Sequence, residues 1–297
     1  MKKIVGHYKR TSIAWAPEEL ARCTNKYSSD YEAVIVSGDI GATLVNTSYD
    51  LKVVSNFDDI DIVHFHNKTL DVDVPNLIQY HSPWYDDVVD KRYSGKKTVI
   101  AQYHALLSEY NDCTIVRNVI DFIDNDLYEL DYTCDKIKVG FSPSMLIGGD
   151  MVESKGYPQT KEILERIKNK YPNFDYDIII DTPLEECIKR KSKCNVIIDE
   201  VVTSSYHRCG LEGLALGKMT ICSLSNEVEE VFKKASKSDI IPFKNVYIGS
   251  LEPELIKIIT NGVEHTNDIG RKNRQWMETY WNPKTIVNEF EDIYNTL

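Results

Sequence analysis

The sequence predicts an α/β protein of two domains, each a mostly parallel sheet covered by helices. Three observations predict it. Short β-branched strands alternate with amphipathic helices along the chain, the order that parallel sheets with covering helices require. The 297 residues are long for one hydrophobic core and comfortable for two. The stretch 195–224, NVIIDEVVTSSYHRCGLEGLALGKMTICSL, reads as apolar strand, polar loop, short helix, glycine stop and second apolar strand.

Taken in order, the first half places strands near 3–5, 32–37, 51–54, 61–66, 77–81, 98–102 and 114–117, with a first helix following Pro17, a residue suited to the first helical turn. The acidic, weakly periodic stretch 124–135 reads as a domain boundary. Beyond it, strands fall near 138–141, 176–180, 195–199, 219–223 and 246–248, and helices near 159–170, 184–191, 206–216 and 228–235. Ile286, Val287, Phe290, Ile293 and Tyr294 make one face of a terminal amphipathic helix with Pro283 near its start. Trp276, Met277, Tyr280 and Trp281 make another apolar stripe upstream. The expected domains are 1–130, 131–275 and a tail, 276–297, docking on its own domain or back on the first.

Composition narrows the function classes. At 42% hydrophobic and 27% charged residues the chain is ordinary for a soluble globular protein. Its net charge of -11 offers no basic footprint for a phosphate backbone, so nucleic acid is disfavoured. No apolar run approaches the length of a membrane span, which leaves only peripheral membrane contact open. The seven cysteines are scattered, without CxxC spacing, which argues against a disulfide framework or a cysteine zinc site and for a reducing cytoplasm. Oligomeric state is left open.

The candidate site residues follow from position in the expected folds. Glu212 sits one to two turns into a helix whose mouth is Ser204, Ser205, Tyr206, His207 and Arg208, followed by Gly210 and Leu211. A carboxylate there, beside the C-terminal end of a strand closing on Asp199, is where open α/β sheets bind nucleotides. An isolated glutamate more often caps an amine or pairs with a lysine such as Lys218; its small and apolar neighbours favour a buried charge with a purpose. Lys155-Gly156 follows a glycine-containing loop that opens with Ser142 and Ser144, and reads equally as a phosphate contact or a solvated lysine. His7, Tyr8, Lys9 and Arg10 read as a loop after the first strand, either solvated or facing phosphate or an acidic acceptor. His64 and His66 share a strand face compatible with metal, but no third ligand lies nearby in sequence, so no metal is expected. His81 reads equally as a substrate contact or a satisfied polar core residue. Asp71-Val72-Asp73 reads as a solvated acidic loop.

These motifs together resemble a known family. GFSPS at 140–144, KGYPQTKEIL at 155–164, NVIIDE at 195–200 and YHRCGLEGLALGKMTI at 206–221 stand in the order and approximate spacing of the donor domain of retaining glycosyltransferases of the GT-B fold, family-four type. More loosely, DIVHFHN at 61–67, IQYHSPWY at 78–85 and VRNVIDFI at 116–123 resemble that family's acceptor domain.

The resemblance implies two Rossmann-like domains facing each other across a cleft, with a C-terminal helix crossing back to the first. It implies transfer of a sugar from a nucleotide diphosphate sugar, a UDP-sugar first among them, to a hydroxyl acceptor such as a glycan or lipid-linked saccharide. Retention of configuration and no metal or other cofactor are implied as well. Glu212 would hold the donor ribose, Lys155 would neutralise the diphosphate, and His81 would contact the donor sugar. The sequence departs from the family at four places, one being that no arginine stands at the second diphosphate contact, where Arg208, Lys9 or Arg10 would substitute. Phe141 replaces a histidine, Ser204 replaces the first glutamate of the Glu-x7-Glu pattern, and the paired glycines of the first loop are absent around 7–10. The alternatives are a phage-type transferase acting on hydroxymethylated DNA bases, disfavoured by acidity, and a non-catalytic sugar-nucleotide or polysaccharide binder, which the lost glutamate permits. An epimerase on the same fold ranks last, because only one convincing site carboxylate is present.

Overall fold

The computed structural model describes residues 2–10, 13–36, 51–83, 89–90, 92–143 and 154–297. The chain divides into two compact units, Met1–Asp121 with Trp281–Leu297, and Phe122–Tyr280. The division falls upstream of the acidic stretch 124–135, where composition places it. Asp121 is tied into the first unit by Lys26 at 3.1 Å and Arg22 at 3.1 Å. Phe122 belongs to the second, under the guanidinium of Arg274 at 4.7 Å.

The first unit is built on strands β1 (Lys3–Lys9), β2 (Tyr31–Val36), β3 (Val53–Val54), β4 (Ile62–His66), β5 (Asn76–Tyr80), β6 (Lys96–Ile100) and β7 (Thr114–Val116), with helix α1 (Ala16–Tyr27) between the first two. They form a seven-stranded sheet in the order β3-β2-β1-β4-β5-β6-β7, parallel at every pairing. Strand order therefore reverses between β1 and β4, the point where doubly wound sheets open a crevice at their carboxyl ends. One sheet face carries an apolar core of Tyr8, Val34, Val36, Val63, Phe65, Ile78 and Tyr80.

The second unit holds β8 (Ile137–Phe141), α2 (Tyr157–Lys170), β9 (Phe174–Ile178), α3 (Leu184–Ser192), β10 (Val196–Glu200), α4 (Arg208–Ala215), β11 (Met219–Cys222), α5 (Asn226–Ser236), β12 (Lys244–Asn245) and α6 (Ile248–Tyr280). Its five strands run parallel in the order β12-β11-β10-β8-β9, with the switch point between β8 and β10. The core packs Val139, Phe141, Ile198 and Ile221 against Leu164 of α2 and Leu251, Leu255 and Ile258 of α6. The strand expected at 246–248 ends by Asn245, and α6 begins at Ile248. Leu251, Leu255, Ile258 and Ile259 give α6 its buried face, and Gly262 at φ 84° breaks its regular geometry.

The chain ends in α7 (Pro283–Tyr294), whose buried face is Ile286, Val287, Phe290, Ile293 and Tyr294, as the periodicity predicts. It belongs to the first unit. Trp281 Nε1 donates to Asn118 O at 2.8 Å, Arg117 pairs with Glu289 at 2.8 Å, and the Tyr31 hydroxyl donates to Asn295 Oδ1 at 2.8 Å. Among the described residues, no helix is long and apolar enough to cross a membrane.

Candidate functional site

In the second unit the carboxyl ends of β8 and β10 adjoin at the switch point. β8 delivers Ser142, which is half-buried; Ser144 lies outside the described residues. Lys155 and Gly156 both take left-handed backbone, φ 54° and 69°, immediately before α2. The glycine also suits the space, since a Cβ there would stand 2.8 Å from Val202 Cγ1 and force that side chain to shift. For lysine the conformation is strained, on the order of 1 kcal/mol or more. The turn brings Lys155 Nζ to 3.7 Å from Asp199 Oδ1, at the end of β10.

Asp199 and Glu200 are fully buried and divide two tasks. Asp199 Oδ2 accepts the His207 N–H at 2.5 Å, which fixes the start of α4. Burial pushes its carboxyl up, against the pull of Lys155 and the His207 N–H. Gly210 makes that approach possible, since a Cβ there would lie 2.8 Å from Asp199 Oδ2. Glu200 accepts the N–H groups of Val202 at 2.9 Å and of Thr203, and the Ser223 hydroxyl at 3.0 Å, which folds the loop 201–207 over the strand end. Ser204 turns through φ 61° in that loop, and its N–H donates to Ser223 Oγ at 3.0 Å. Burial also pulls the His207 imidazole well below its ordinary value, with Lys155 adding to the effect.

Glu212 is 4% exposed and held from two sides. Lys191 of α3 reaches Oε2 at 2.6 Å, and Arg208 Nε, one turn earlier on α4, reaches Oε1 at 2.9 Å. Burial opposes its charge, but the two cations beside it hold the carboxyl below the usual carboxylate range. The trio carries one negative and two positive groups, an excess that suits an anion. Lys218, the partner that sequence proximity suggests, instead donates to Asp131 O. The residues expected at the site thus divide. Lys155, Asp199, His207, Arg208, Gly210 and Glu212 gather around the carboxyl end of β10 and the first turns of α4. Tyr206 and Leu211 are core residues, 1% and 0% exposed, the former packed on Phe232 and Phe243 at 5.0 and 5.6 Å between ring centroids. Ser205 is buried too, its hydroxyl turned to Tyr206 O at 3.4 Å. Glu200 and Lys191 went unremarked in the sequence. The signal for Lys191 is its position three residues after Ile188, on the buried face of α3.

In the first unit the expected loop at 7–10 is mostly strand. β1 runs through Lys9, because His7 and Lys9 pair with His64 and His66 in register while Tyr8 turns into the apolar core. His7, Tyr8 and Lys9 are buried, Lys9 against Glu18 of α1, and only Arg10 is exposed. His81 follows β5; its N–H donates to Asn67 Oδ1 at 2.7 Å, and its Nε2 shares a hydrogen bond with His66 Nδ1 at 2.9 Å. Burial pulls its imidazole down to about 3, so it stands neutral near pH 7. Asp71 and Asp73 are exposed in the loop after β4, as expected. The seven cysteines are free thiols.

No family model and no curated protein matches the sequence. Solved structures do match over the full length. A glycosyltransferase from Rickettsia africae ESF-5 is 14% identical, with a TM-score of 0.64 over 99% of this chain and 98% of that one. Anabaena Alr3699/HepE, in complex with UDP and glucose, is 9% identical, with a TM-score of 0.63 over 99% of this chain and 100% of that one. A sucrose-phosphate synthase from Thermosynechococcus elongatus is 9% identical, with a TM-score of 0.60 over 99% of each chain. The chain has the fold of these glycosyltransferases, GT-B, with two Rossmann-like α/β units.

Proposed function

We propose that this protein is a glycosyltransferase that moves a sugar from a nucleotide diphosphate sugar to a hydroxyl acceptor. A UDP-sugar is the first candidate donor, with a glycan or lipid-linked saccharide as acceptor, retention of configuration and no metal at the diphosphate. The observation that carries this reading is the cradle at the β8/β10 switch point, where Lys155, Arg208 and Glu212 stand where an open α/β sheet binds a nucleotide. The UDP carried by the Anabaena relative of the same fold supports the choice of donor. In this reading Glu212 accepts the ribose hydroxyls through lone pairs that its two cations leave available. Lys155 meets the charge that develops on the leaving diphosphate. His81, carried over from the sequence resemblance, is the hydrogen-bond partner of the donor sugar; being neutral near pH 7, it offers a directed hydrogen bond rather than a charge.

A thermal-shift screen against UDP-, GDP-, ADP- and CMP-sugars tests the reading. A donor at a hundred times its Kd adds about 2.7 kcal/mol to the folded state, so one family of donors should raise the melting temperature by several degrees. No shift with any of them would reject a nucleotide site. The same assay with 2′,3′-dideoxy-UDP tests Glu212, because loss of the ribose hydroxyls should weaken binding about tenfold or more. A second reading, a binder without transfer, draws on Ser204 in place of an acidic residue. Slow donor hydrolysis by the wild type supports the transferase, and donor binding without any hydrolysis supports the binder.

A further inference from the structure

At the switch point of the first unit, β1 and β4 turn three imidazoles onto the sheet face opposite the apolar core. His7 stands opposite His64 in register, and Lys9 opposite His66. The ring centroids are 5.0 Å apart for His7 and His64, 4.4 Å for His64 and His66, and 5.3 Å for His7 and His66. All three rings are at most 1% exposed, and one nitrogen from each lies within 4.8 Å of the other two. Sequence spacing supplied only His64 and His66; the third ligand comes from β1, distant in sequence and adjacent in the sheet.

Hydrogen-bond accounting leaves this cluster with spare lone pairs. His7 Nδ1 shares a hydrogen bond with His66 Nε2 at 3.0 Å, and His66 Nδ1 with His81 Nε2 at 2.9 Å. His64 Nδ1 is 2.9 Å from the Tyr294 hydroxyl of α7. Of the remaining nitrogens, His7 Nε2 is buried without a hydrogen-bond partner, and His64 Nε2 makes no bond of good geometry although Gln79 interacts with its ring. Leaving such an atom unmatched costs about 1–3 kcal/mol. If His64 Nδ1–H donates to Tyr294 and His66 Nδ1–H to His81, then His64 Nε2 and His66 Nε2 carry lone pairs; with the His7 proton on Nε2, His7 Nδ1 supplies the third, 3.0 Å from His66 Nε2. The nearby Lys9 is paired with Glu18, so the cluster faces no unpaired ammonium there.

We propose that His7, His64 and His66 form a binding site for a divalent transition-metal cation, with Zn2+ the first candidate. Tetrahedral zinc at about 2.0–2.1 Å from each nitrogen sets its ligands roughly 3.3 Å apart, so the rings close in from separations of up to 4.8 Å. Three neutral imidazoles select zinc, copper, nickel or cobalt over magnesium and calcium, which prefer oxygen. Tyr294 orients His64 from behind, and His81 orients His66, the outer-shell arrangement that metal-bound imidazoles use. The metal clips β1 to β4 and, through Tyr294, α7 to the sheet. The site is structural and does not depend on the activity proposed for the second unit.

The test uses the full-length protein, stripped with chelator, loaded with ZnCl2 and passed through a desalting column before metal counting. Wild type and the exposed-site control His265→Gln are expected to retain about one zinc per chain, whereas His7→Gln and His64→Gln retain almost none while keeping a native circular dichroism spectrum. Wild type that retains no zinc, or folded variants that retain it fully, overturns the site and leaves a neutral polar network with Gln79 Oε1 as its further member. Should the variants fail to fold, Co2+ loaded into wild type decides. Intense visible ligand-field bands without thiolate charge-transfer absorption are expected; no such bands, or bands with thiolate character, overturn the assignment.

Discussion

Lys155 Nζ stands 3.7 Å from Asp199, a carboxylate with no exposed surface, so the lysine has a structural duty beside any catalytic one. Removing one member of a buried pair strands the other, at a cost of about 3–5 kcal/mol when the pair is fully dry; the partial exposure of Lys155 places this case at or below the lower end. Lys155→Ala is therefore expected to lower both the melting temperature and the turnover, the latter by a factor on the order of 10² if the ammonium stabilises the leaving diphosphate. The double variant Lys155→Met with Asp199→Asn separates the duties. It should recover most of the lost stability and none of the lost turnover. Recovery of turnover with stability would show that Lys155 acts only on Asp199. The turn at 155–156 reads in one dimension equally as a phosphate contact or a solvated lysine, and its ion pair is not legible at all, because Asp199 becomes its neighbour only when β8 and β10 lie side by side.

The element that organises the second unit's site is α4, and its seating depends on two glycines. A Cβ at Gly213 would come within 2.8 Å of Thr220 Oγ1 and 3.0 Å of Ile197 Cβ, while one at Gly210 would meet Asp199 Oδ2 at 2.8 Å. The helix therefore packs with its backbone almost on β10, close enough for Asp199 to take the His207 N–H. Gly210→Val is expected to lift the first turn, with a loss of about 1–3 kcal/mol in urea unfolding and a larger proportional loss of donor affinity by calorimetry. Unchanged affinity in a folded variant would remove α4 from the binding site. Elements like this one are the legible part of the chain. Strand, loop, helix and strand between 195 and 224 follow from β-branched runs, a serine-rich break and the stop at Gly217. Less legible are the elements whose signals conflict. Val246 and Ile248 read as strand because they alternate, yet Ile248 opens α6, whose period shows only when Leu251, Leu255, Ile258 and Ile259 are read together across Pro253. The loop expected at 7–10 becomes strand because His7 and Lys9 find partners on β4 and α1 that no local pattern announces.

Across the whole molecule, the buried histidines with depressed values lie mostly in the first unit, His7, His64, His66 and His81, with His207 alone among those named in the second. In the first, burial depresses His7 to about 3 and holds His64 and His66 well below their ordinary value near 6.5. A histidine whose folded value lies below its unfolded value binds fewer protons when folded. Its contribution to stability is complete above about pH 6.5 and falls as the pH drops from there toward the folded value. Each such group adds to the dependence on pH, so the folded state of the first unit loses stability more steeply the further the pH falls below about 6.5. In the second unit the shifts oppose one another. His207, depressed by burial, loses its contribution as the pH drops below about 6.5; burial raises Asp199 and Glu200, which favours the folded state as the pH falls toward their unfolded values, while Glu212, held low by its two cations, loses its contribution only as the pH falls below the carboxylate range. Metal-stripped protein moved from pH 7 to pH 5 should therefore lose its first unit while the second stays folded. Hydrogen exchange read by mass spectrometry, corrected for the intrinsic pH dependence, checks this directly. Amides of β1, β4 and β5 are expected to lose protection by pH 5, and those of β8 and β10 to keep it. His64→Gln, if folded at pH 7, should shift the onset to lower pH, because one of the protons that drive unfolding is gone. Equal loss of protection in both units, or none in either, would mean that the histidine column is not what sets the acid limit of the fold.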